Sequence, residues 1–160
     1  MSIILEGPDG AGKSTMADAI ARELGWNILK MTANGSQSEE DYREKLACHR
    51  IVIDRCWISE QIYAPVFKRA QRLCDCACER LNQICRERPV QVVIVLPPLA
   101  VVDARLARRG DEFGDVVLPN IGHIYDEYVR YAHAHPFITV VHDNDIARVI
   151  EKVKQDEHCW

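Results

Sequence analysis

The segment that most constrains the fold is residues 7–14, which read Gly-Pro-Asp-Gly-Ala-Gly-Lys-Ser. It follows a short apolar run at residues 2–5 and precedes an amphipathic stretch at residues 15–24. A strand, a glycine-rich loop and a helix in this order form a phosphate-binding loop, because backbone N–H groups and the positive end of the helix dipole converge on one anion. The plainer alternative is a glycine turn that only reverses the chain. The context favours binding of a nucleoside triphosphate.

Two side chains of this loop have defined chemistry in such a site. Lys13 can reach the β- and γ-phosphates, and the Ser14 hydroxyl can ligate Mg²⁺. The predicted triphosphate-binding residues in the loop are Gly7, Asp9, Gly10, Ala11, Gly12, Lys13, Ser14 and Thr15.

Strands and helices alternate along the rest of the chain, which predicts an α/β fold with a parallel sheet covered on both faces. The five predicted strands are residues 2–5, 26–31, 50–54, 90–96 and 137–141. Helices are predicted at residues 15–24, 39–47, 120–133 and 146–156, and another follows Pro97-Pro98 and runs to Arg109. A further helical region is capped by Ser59, is interrupted near Pro65 and continues to about residue 86. Residues 110–119 are predicted to form a loop. Ligands of such a sheet bind beyond the carboxyl ends of its strands.

Composition limits the partners and the compartment. The 160 residues predict one domain, residues 1–160, with no apolar run long enough to span a membrane and no room for a signal peptide. A cytoplasmic protein is therefore expected. The net charge of −4 argues against a nucleic-acid partner, because no overall positive field would attract one. A homodimer is left open.

The cysteines are interpreted as small apolar residues. The chain contains seven of them, an odd number, and Cys74, Cys76, Cys78 and Cys85 fall within one predicted helix. We expect them to be reduced and mostly buried, with Cys74, Cys78 and Cys85 on one face. A helix cannot present three such thiolates to one metal ion.

A second constellation follows the third predicted strand. Asp54 ends this strand beside the phosphate-binding loop, where a Mg²⁺ ligand belongs, and Arg55 can hold a second phosphate through its planar guanidinium. The alternative is an Asp-Arg pair that caps the next helix. Trp57 is predicted to be a core residue rather than a stacking platform, and for Tyr63 the two roles are open.

With these residues in view, the chain resembles thymidylate kinase and the nucleoside and nucleotide kinases related to it. The resemblance is strongest at residues 5–15 and at Asp54-Arg55, and weaker at Ser59, Tyr63, residues 93–98, residues 105–110, Tyr125 and residues 142–144. It implies a three-layer α/β/α P-loop kinase fold with a short lid at about residues 109–119. The implied activity is ATP- and Mg²⁺-dependent transfer of a phosphoryl group to a deoxynucleoside monophosphate.

The resemblance also implies roles for individual residues. On the acceptor side, Asp9 would meet the sugar, Arg55 would hold the phosphate and Tyr63 would crowd the 2′ position; Asp54 would complete this set. On the ATP side, Arg105 and Asn144 would contact the nucleotide. Ser14 and Asp54 would ligate Mg²⁺. The implied catalytic residues are Lys13, Asp54 and a lid arginine, Arg109 or Arg108, since Gly10 and Ala11 leave no arginine inside the loop.

The chain departs from the family between the second and third strands. Only residues 32–35 and a small acidic helix replace a longer segment that helps to enclose the base, with Tyr42 and Arg43 as candidate substitutes. The base therefore stays open.

Two other functions remain. A kinase for a hydroxyl acceptor, whether a nucleoside, another small molecule or a base in DNA, would need Asp9 or Asp54 as a general base. A non-kinase P-loop NTPase is the second, although the Asn-Lys-x-Asp segment of a GTPase is absent. The arginines at Arg55 and in residues 105–109 favour an anionic acceptor.

Overall fold

A five-stranded parallel sheet forms the centre of the computed structural model, which describes residues 1–31, 38–109, 114–142 and 145–157. The strands are β1 Ser2–Glu6, β2 Asn27–Lys30, β3 Ile51–Asp54, β4 Val90–Val95 and β5 Thr139–Val141. Their spatial order is β2-β3-β1-β4-β5, and every neighbouring pair is parallel. The connection that follows β1 runs to the side of the sheet that holds β3 and β2, whereas the connection that follows β4 runs to the opposite side. A crevice therefore opens at the carboxyl ends of β1 and β4.

Helices cover both faces of the sheet, as a parallel sheet requires. They are α1 Lys13–Leu24, α2 Glu39–Ala47, α3 Trp57–Val66, α4 Asp75–Glu87, α5 Leu99–Arg109, α6 Gly114–Ala134 and α7 Ile146–Glu157. Side chains of β1 alternate between two cores: Ile4 packs with α3, α4 and α6, whereas Ile3 and Leu5 pack with α1 and α7. The predicted three-layer α/β/α fold is confirmed.

The start of α6 differs from the prediction. This helix begins at Gly114 rather than Asn120, so Pro119 lies inside it. Proline lacks an N–H group and is poorly tolerated inside helices, which is why its position favoured a loop. Val117 and Ile121, on either side of the proline, are buried in the core, and this packing holds the segment helical. Of the proposed lid, residues 110–113 lie outside the described residues.

The region after β3 also differs in its helix ends. Helix α3 begins at Trp57 with Cys56 as its N-cap, so the prediction that Ser59 caps it is wrong. It ends at Val66, one residue after Pro65, and α4 begins only at Asp75. Residues between them form the interruption that was predicted near the proline.

Two predictions about buried side chains have mixed outcomes. Trp57 is a core residue: it is 1% exposed, and its indole N–H donates to Asn82 Oδ1 at 3.0 Å. Cys78 and Cys85 are buried, but Cys74 precedes α4 as its N-cap and is exposed, so it does not share their face.

None of the described helices is both long and apolar enough to cross a lipid bilayer.

Candidate active site

The phosphate-binding loop packs tightly against its surroundings. Gly7 and Gly10 adopt φ angles of 139° and 80°, which side-chain-bearing residues rarely adopt. A Cβ on Gly7 would lie 2.4 Å from the carbonyl oxygen of Val95, and one on Gly10 would lie 2.8 Å from that of Val102. Glycine is therefore required at both positions, because the loop touches the end of β4 and the backbone of α5.

Lys13 is folded back into the loop. Its side chain is almost fully buried, and Nζ donates a hydrogen bond to the carbonyl oxygen of Pro8 at 2.7 Å. Burial, helped by the nearby positive charge of Arg55, lowers the pKa of Lys13 to about 8. An anion in the loop would meet a cation that little water shields.

The side chains of Ser14 and Asp54 are in direct contact beside the phosphate-binding loop. Asp54 ends β3 and is in register with Leu5 of β1, which brings it to the first turn of α1. The Ser14 hydroxyl donates to Asp54 Oδ2 at 2.7 Å. Asp54 Oδ1 is buried and has no hydrogen-bond partner among the described residues. A hydroxyl and a carboxylate oxygen are ligands that Mg²⁺ prefers, so these two residues fit a magnesium site.

Arg55 is held in place on the other side of the loop. It adopts a left-handed backbone with φ of 75°, and its N–H group donates to the carbonyl oxygen of Leu5 at 2.9 Å. One arm of its guanidinium, Nη2, forms an ion pair with Asp9 Oδ1, and the group lies 5.4 Å from the centre of the Tyr63 ring. The Asp9 N–H donates to the Tyr63 hydroxyl at 2.9 Å. The loop, β3 and α3 are thus joined at one cation.

The charges of this cluster influence one another. Burial tends to raise the pKa of Asp9, but the cations Arg55 and Lys13 outweigh it, so that this pKa is lowered. For Arg55, burial opposes the charged form, yet the carboxylate of Asp9 raises the pKa. Both groups are therefore charged at neutral pH, and Asp9 is a weak base.

Glu6 is a site residue that sequence reasoning missed. Its side chain is 0% exposed, and its carboxylate accepts hydrogen bonds from the N–H groups of Cys56 and Ser59, at 2.5 Å and 3.2 Å. It therefore caps α3 in place of Ser59. The hydroxyls of Ser59 and Tyr128 also donate to it, at 2.6 Å and 3.0 Å. The one sequence signal was an acidic residue at the end of an apolar strand.

Two arginines of α5, Arg105 and Arg109, lie close to the phosphate-binding loop. Arg105 Nη1 lies 3.4 Å from the carbonyl oxygen of Gly10. Arg109 is close enough that its charge contributes to the lowered pKa of Asp9. Arg108 is exposed at the same end of the helix, and Asn144 lies outside the described residues.

The two candidate substitutes for a base-enclosing segment, Tyr42 and Arg43, both contact other side chains. Tyr42 is buried and packs edge-on against Trp57, with ring centres 5.4 Å apart. Arg43 forms an ion pair with Glu39 one turn earlier on α2. Tyr42 is therefore part of the core, and its suggested contact with a base is wrong.

Two sequence comparisons relate this chain to known proteins. A family model described as "ATPase family associated with various cellular activities (AAA)" matches residues 3–72, which contain the loop and Asp54-Arg55. The SPbeta prophage-derived uncharacterized protein YorR of Bacillus subtilis (strain 168) is 30% identical over 142 residues, covering 84% of this chain and 86% of YorR.

Solved structures share the fold over nearly the whole chain. The structure of B. subtilis YorR in complex with phosphorylated GDP matches with a TM-score of 0.81 and 24% identity, covering 99% of this chain and 98% of the other. Deoxyadenosine kinase from M. mycoides with bound dCTP has a TM-score of 0.61 and 16% identity over 100% of both chains. Thymidylate kinase from Candida albicans has a TM-score of 0.62 and 12% identity, covering 98% and 92%.

The sheet order, the loop and the neighbouring structures define a protein with the fold of the P-loop nucleotide kinases. That likeness is broad and does not single out thymidylate kinase. Within this class, the chain belongs to the same family as YorR.

Proposed function

We propose that this protein is an ATP- and Mg²⁺-dependent kinase that converts a deoxynucleoside monophosphate into the diphosphate. The observation that carries the proposal is the cation at the acceptor side. Arg55 is positioned next to the phosphate-binding loop by an ion pair with Asp9 and by the Tyr63 ring. A fixed guanidinium suits an anionic acceptor, because its planar donors match a phosphate.

The donor side consists of the loop and its partners. Backbone N–H groups and Lys13 would hold the β- and γ-phosphates of ATP, with Gly7, Asp9, Gly10, Ala11, Gly12, Ser14 and Thr15 forming the rest of the cradle. Ser14 and Asp54 would hold Mg²⁺, which neutralises phosphate charge when bound. Phosphoryl transfer depends mainly on positioning and on such neutralisation. The buried Lys13 supports this role, since little water screens its charge.

The lid arginines would complete the site. Arg105 already reaches the loop and is proposed to lie against the adenine of ATP, with Asn144 near the same nucleotide. Between Arg109 and Arg108, the electrostatic influence on Asp9 favours Arg109 as the residue that neutralises the transferred group. Arg109 would lie at the start of a short lid at about residues 109–119, directly after Arg108, within a single kinase domain.

A hydroxyl acceptor is the alternative, and the geometry disfavours it. It requires a general base near the loop. Asp9 is paired with Arg55 and has a lowered pKa, while one oxygen of Asp54 accepts from Ser14. Asp9 is therefore a poor base, and Asp54 is proposed to hold Mg²⁺ together with Ser14. A phosphate acceptor is already anionic and needs the arginine instead.

An ADP-release assay tests the proposal directly. ATP and Mg²⁺ are supplied with each deoxynucleoside monophosphate, each ribonucleotide and each unphosphorylated nucleoside, and products are separated to show which molecule gained phosphate. Guanine nucleotides belong in the panel, because YorR binds phosphorylated GDP. Turnover with one or two deoxymonophosphates supports the proposal and names the base. Turnover only with nucleosides would move the acceptor to a hydroxyl.

The affinity for ATP is expected to fall as pH rises above about 8. Burial lowers the pKa of Lys13 to about 8 in the empty protein, whereas a bound polyphosphate raises that pKa. Above this pH, binding must therefore take up a proton, and the Kd should rise about tenfold per pH unit. Calorimetry from pH 7 to 10, in buffers of different ionisation enthalpy, measures both quantities. Lys13→Met should lack this pH dependence; the same slope in that variant would exclude Lys13 as its source.

A further inference from the structure

We propose that Glu6 is a positioning residue that orients Arg55 through the Ser59 hydroxyl and so links the phosphate-binding loop to the acceptor side. The structural part of this inference stands on contacts within the protein. Its effect on catalysis rests on the proposed function.

The Glu6 carboxylate is fixed from three directions. It ends β1 directly before the loop, and Oε2 lies 3.3 Å from the N–H group of Gly7. Oε1 accepts from the backbone of α3, while Oε2 accepts from the hydroxyls of Ser59 on α3 and Tyr128 on α6. Each of these partners is a donor, so the group serves as an ionised acceptor. The positive end of α3 adds to its stabilisation.

The single hydroxyl proton of Ser59 determines which of its two hydrogen bonds, to Glu6 and to Arg55, it donates and which it accepts. A serine hydroxyl has one proton to give. At 2.6 Å from Glu6 Oε2, that proton is donated to the carboxylate, which leaves only lone pairs on Oγ for other partners. Arg55 Nη1 donates to this oxygen at 3.2 Å. The charge on Glu6 thus makes Ser59 an acceptor for the guanidinium.

Arg55 is therefore held by two acceptors, one on each arm. Nη2 is paired with Asp9 of the loop, and Nη1 bonds to Ser59, whose orientation depends on Glu6. Two fixed contacts define the plane of the guanidinium, whereas one would leave it free to rotate. A change at Glu6 should accordingly alter the acceptor side without removing any group that touches ATP.

A purely structural role makes a different prediction. Capping α3 requires only Oε1, which accepts from backbone N–H groups. Loss of such a cap lowers stability and affects both substrates alike. The contact of Oε2 with Ser59 is what predicts a selective effect on the acceptor.

The kinetic test uses Glu6→Gln and Ser59→Ala in the full chain. The glutamine keeps the shape but places an N–H donor where an acceptor is needed, so we expect the acceptor KM to rise about tenfold with the KM for ATP nearly unchanged. Ser59→Ala should act in the same direction, and it keeps the cap if Glu6→Gln fails to fold. The double variant should be no worse than the more severe single one, because both break one chain of contacts.

Asn82→Ala is the matched control. Asn82 is also buried and hydrogen-bonded, but its partners, Trp57 and Tyr131, are neither loop residues nor Arg55. Its loss should lower the melting temperature while leaving the ratio of the two KM values unchanged. If Glu6→Gln and Ser59→Ala behave like Asn82→Ala, the proposal is overturned.

A second readout is independent of turnover. In nucleotide-free protein with ¹⁵N-labelled arginine, the Arg55 guanidinium signals, assigned with Arg55→Lys, should show hindered rotation that both Glu6→Gln and Ser59→Ala remove. Unchanged rotation in both variants contradicts the link. If no acceptor is phosphorylated at all, the proposed function fails, yet the guanidinium signals still decide whether Glu6 orients Arg55.

Discussion

Lys13→Met is expected to lower kcat for phosphoryl transfer by about 10³-fold while leaving the protein folded. The ammonium group of Lys13 is nearly buried and bonded to the carbonyl oxygen of Pro8, inside the loop that would hold the phosphates. A cation in such a dry position interacts strongly with charge that develops during transfer. Methionine has a similar length but no charge, so the loss isolates the electrostatic contribution. The measurement is kcat with saturating ATP and the acceptor found in the substrate panel.

Stability separates this effect from damage to the fold. Burial of the Lys13 charge lowers its pKa, which means that the folded state bears a cost for keeping the ammonium out of water. Replacing it with an apolar side chain removes that cost, so the melting temperature of Lys13→Met should not fall. Lys152→Met is the control and should keep full activity, because Lys152 lies on α7 and donates a hydrogen bond to Thr139 Oγ1 rather than to the loop. An active Lys13→Met enzyme would show that the lysine is not needed for transfer.

The parts of the site that sequence reasoning predicted are those built from neighbours along the chain. Residues 7–14 form a loop between a strand and a helix, and their spacing alone implies where Lys13 and Ser14 point. The sequence predicts that Asp54 and Arg55 lie beside the loop, because the carboxyl ends of adjacent parallel strands meet at one edge, and β3 does pair with β1. The sheet was predictable for the same reason.

The role of Glu6 could not be predicted, because its partners lie far along the chain. Ser59 carries the residue type of a helix cap, and nothing local indicates that a carboxylate from β1 takes that function instead. Pro119 likewise suggests, from the sequence alone, that the helix begins after it. Helix α6 instead begins at Gly114, because Val117 is buried in the core and holds the residues before the proline helical. Tyr42 was misassigned since no local pattern distinguishes a base contact from packing against Trp57. In each case tertiary packing overrides the local preference.

Arg55→Ala is expected to reduce kcat/KM for the nucleotide acceptor by about 100-fold and to change the KM for ATP little. Its guanidinium is directed by Asp9 on one arm and by Ser59 on the other. In this geometry it can offer a phosphate the paired donors that a single ammonium cannot. Arg55→Lys should therefore recover only part of the loss. Initial rates with each substrate varied at saturating levels of the other measure the two sides separately.

Arg50→Ala is the matched control for this variant, because the two arginines flank the same strand. Both are left-handed, with φ of 56° at Arg50 and 75° at Arg55, so alanine meets the same backbone strain at either position. Arg50 precedes β3 and is exposed at the end of the sheet opposite the loop. If the acceptor kinetics of Arg55→Ala match those of Arg50→Ala, Arg55 does not hold the acceptor phosphate. A loss confined to Arg55→Ala, together with an unchanged KM for ATP, would leave the acceptor phosphate as the group that this arginine binds.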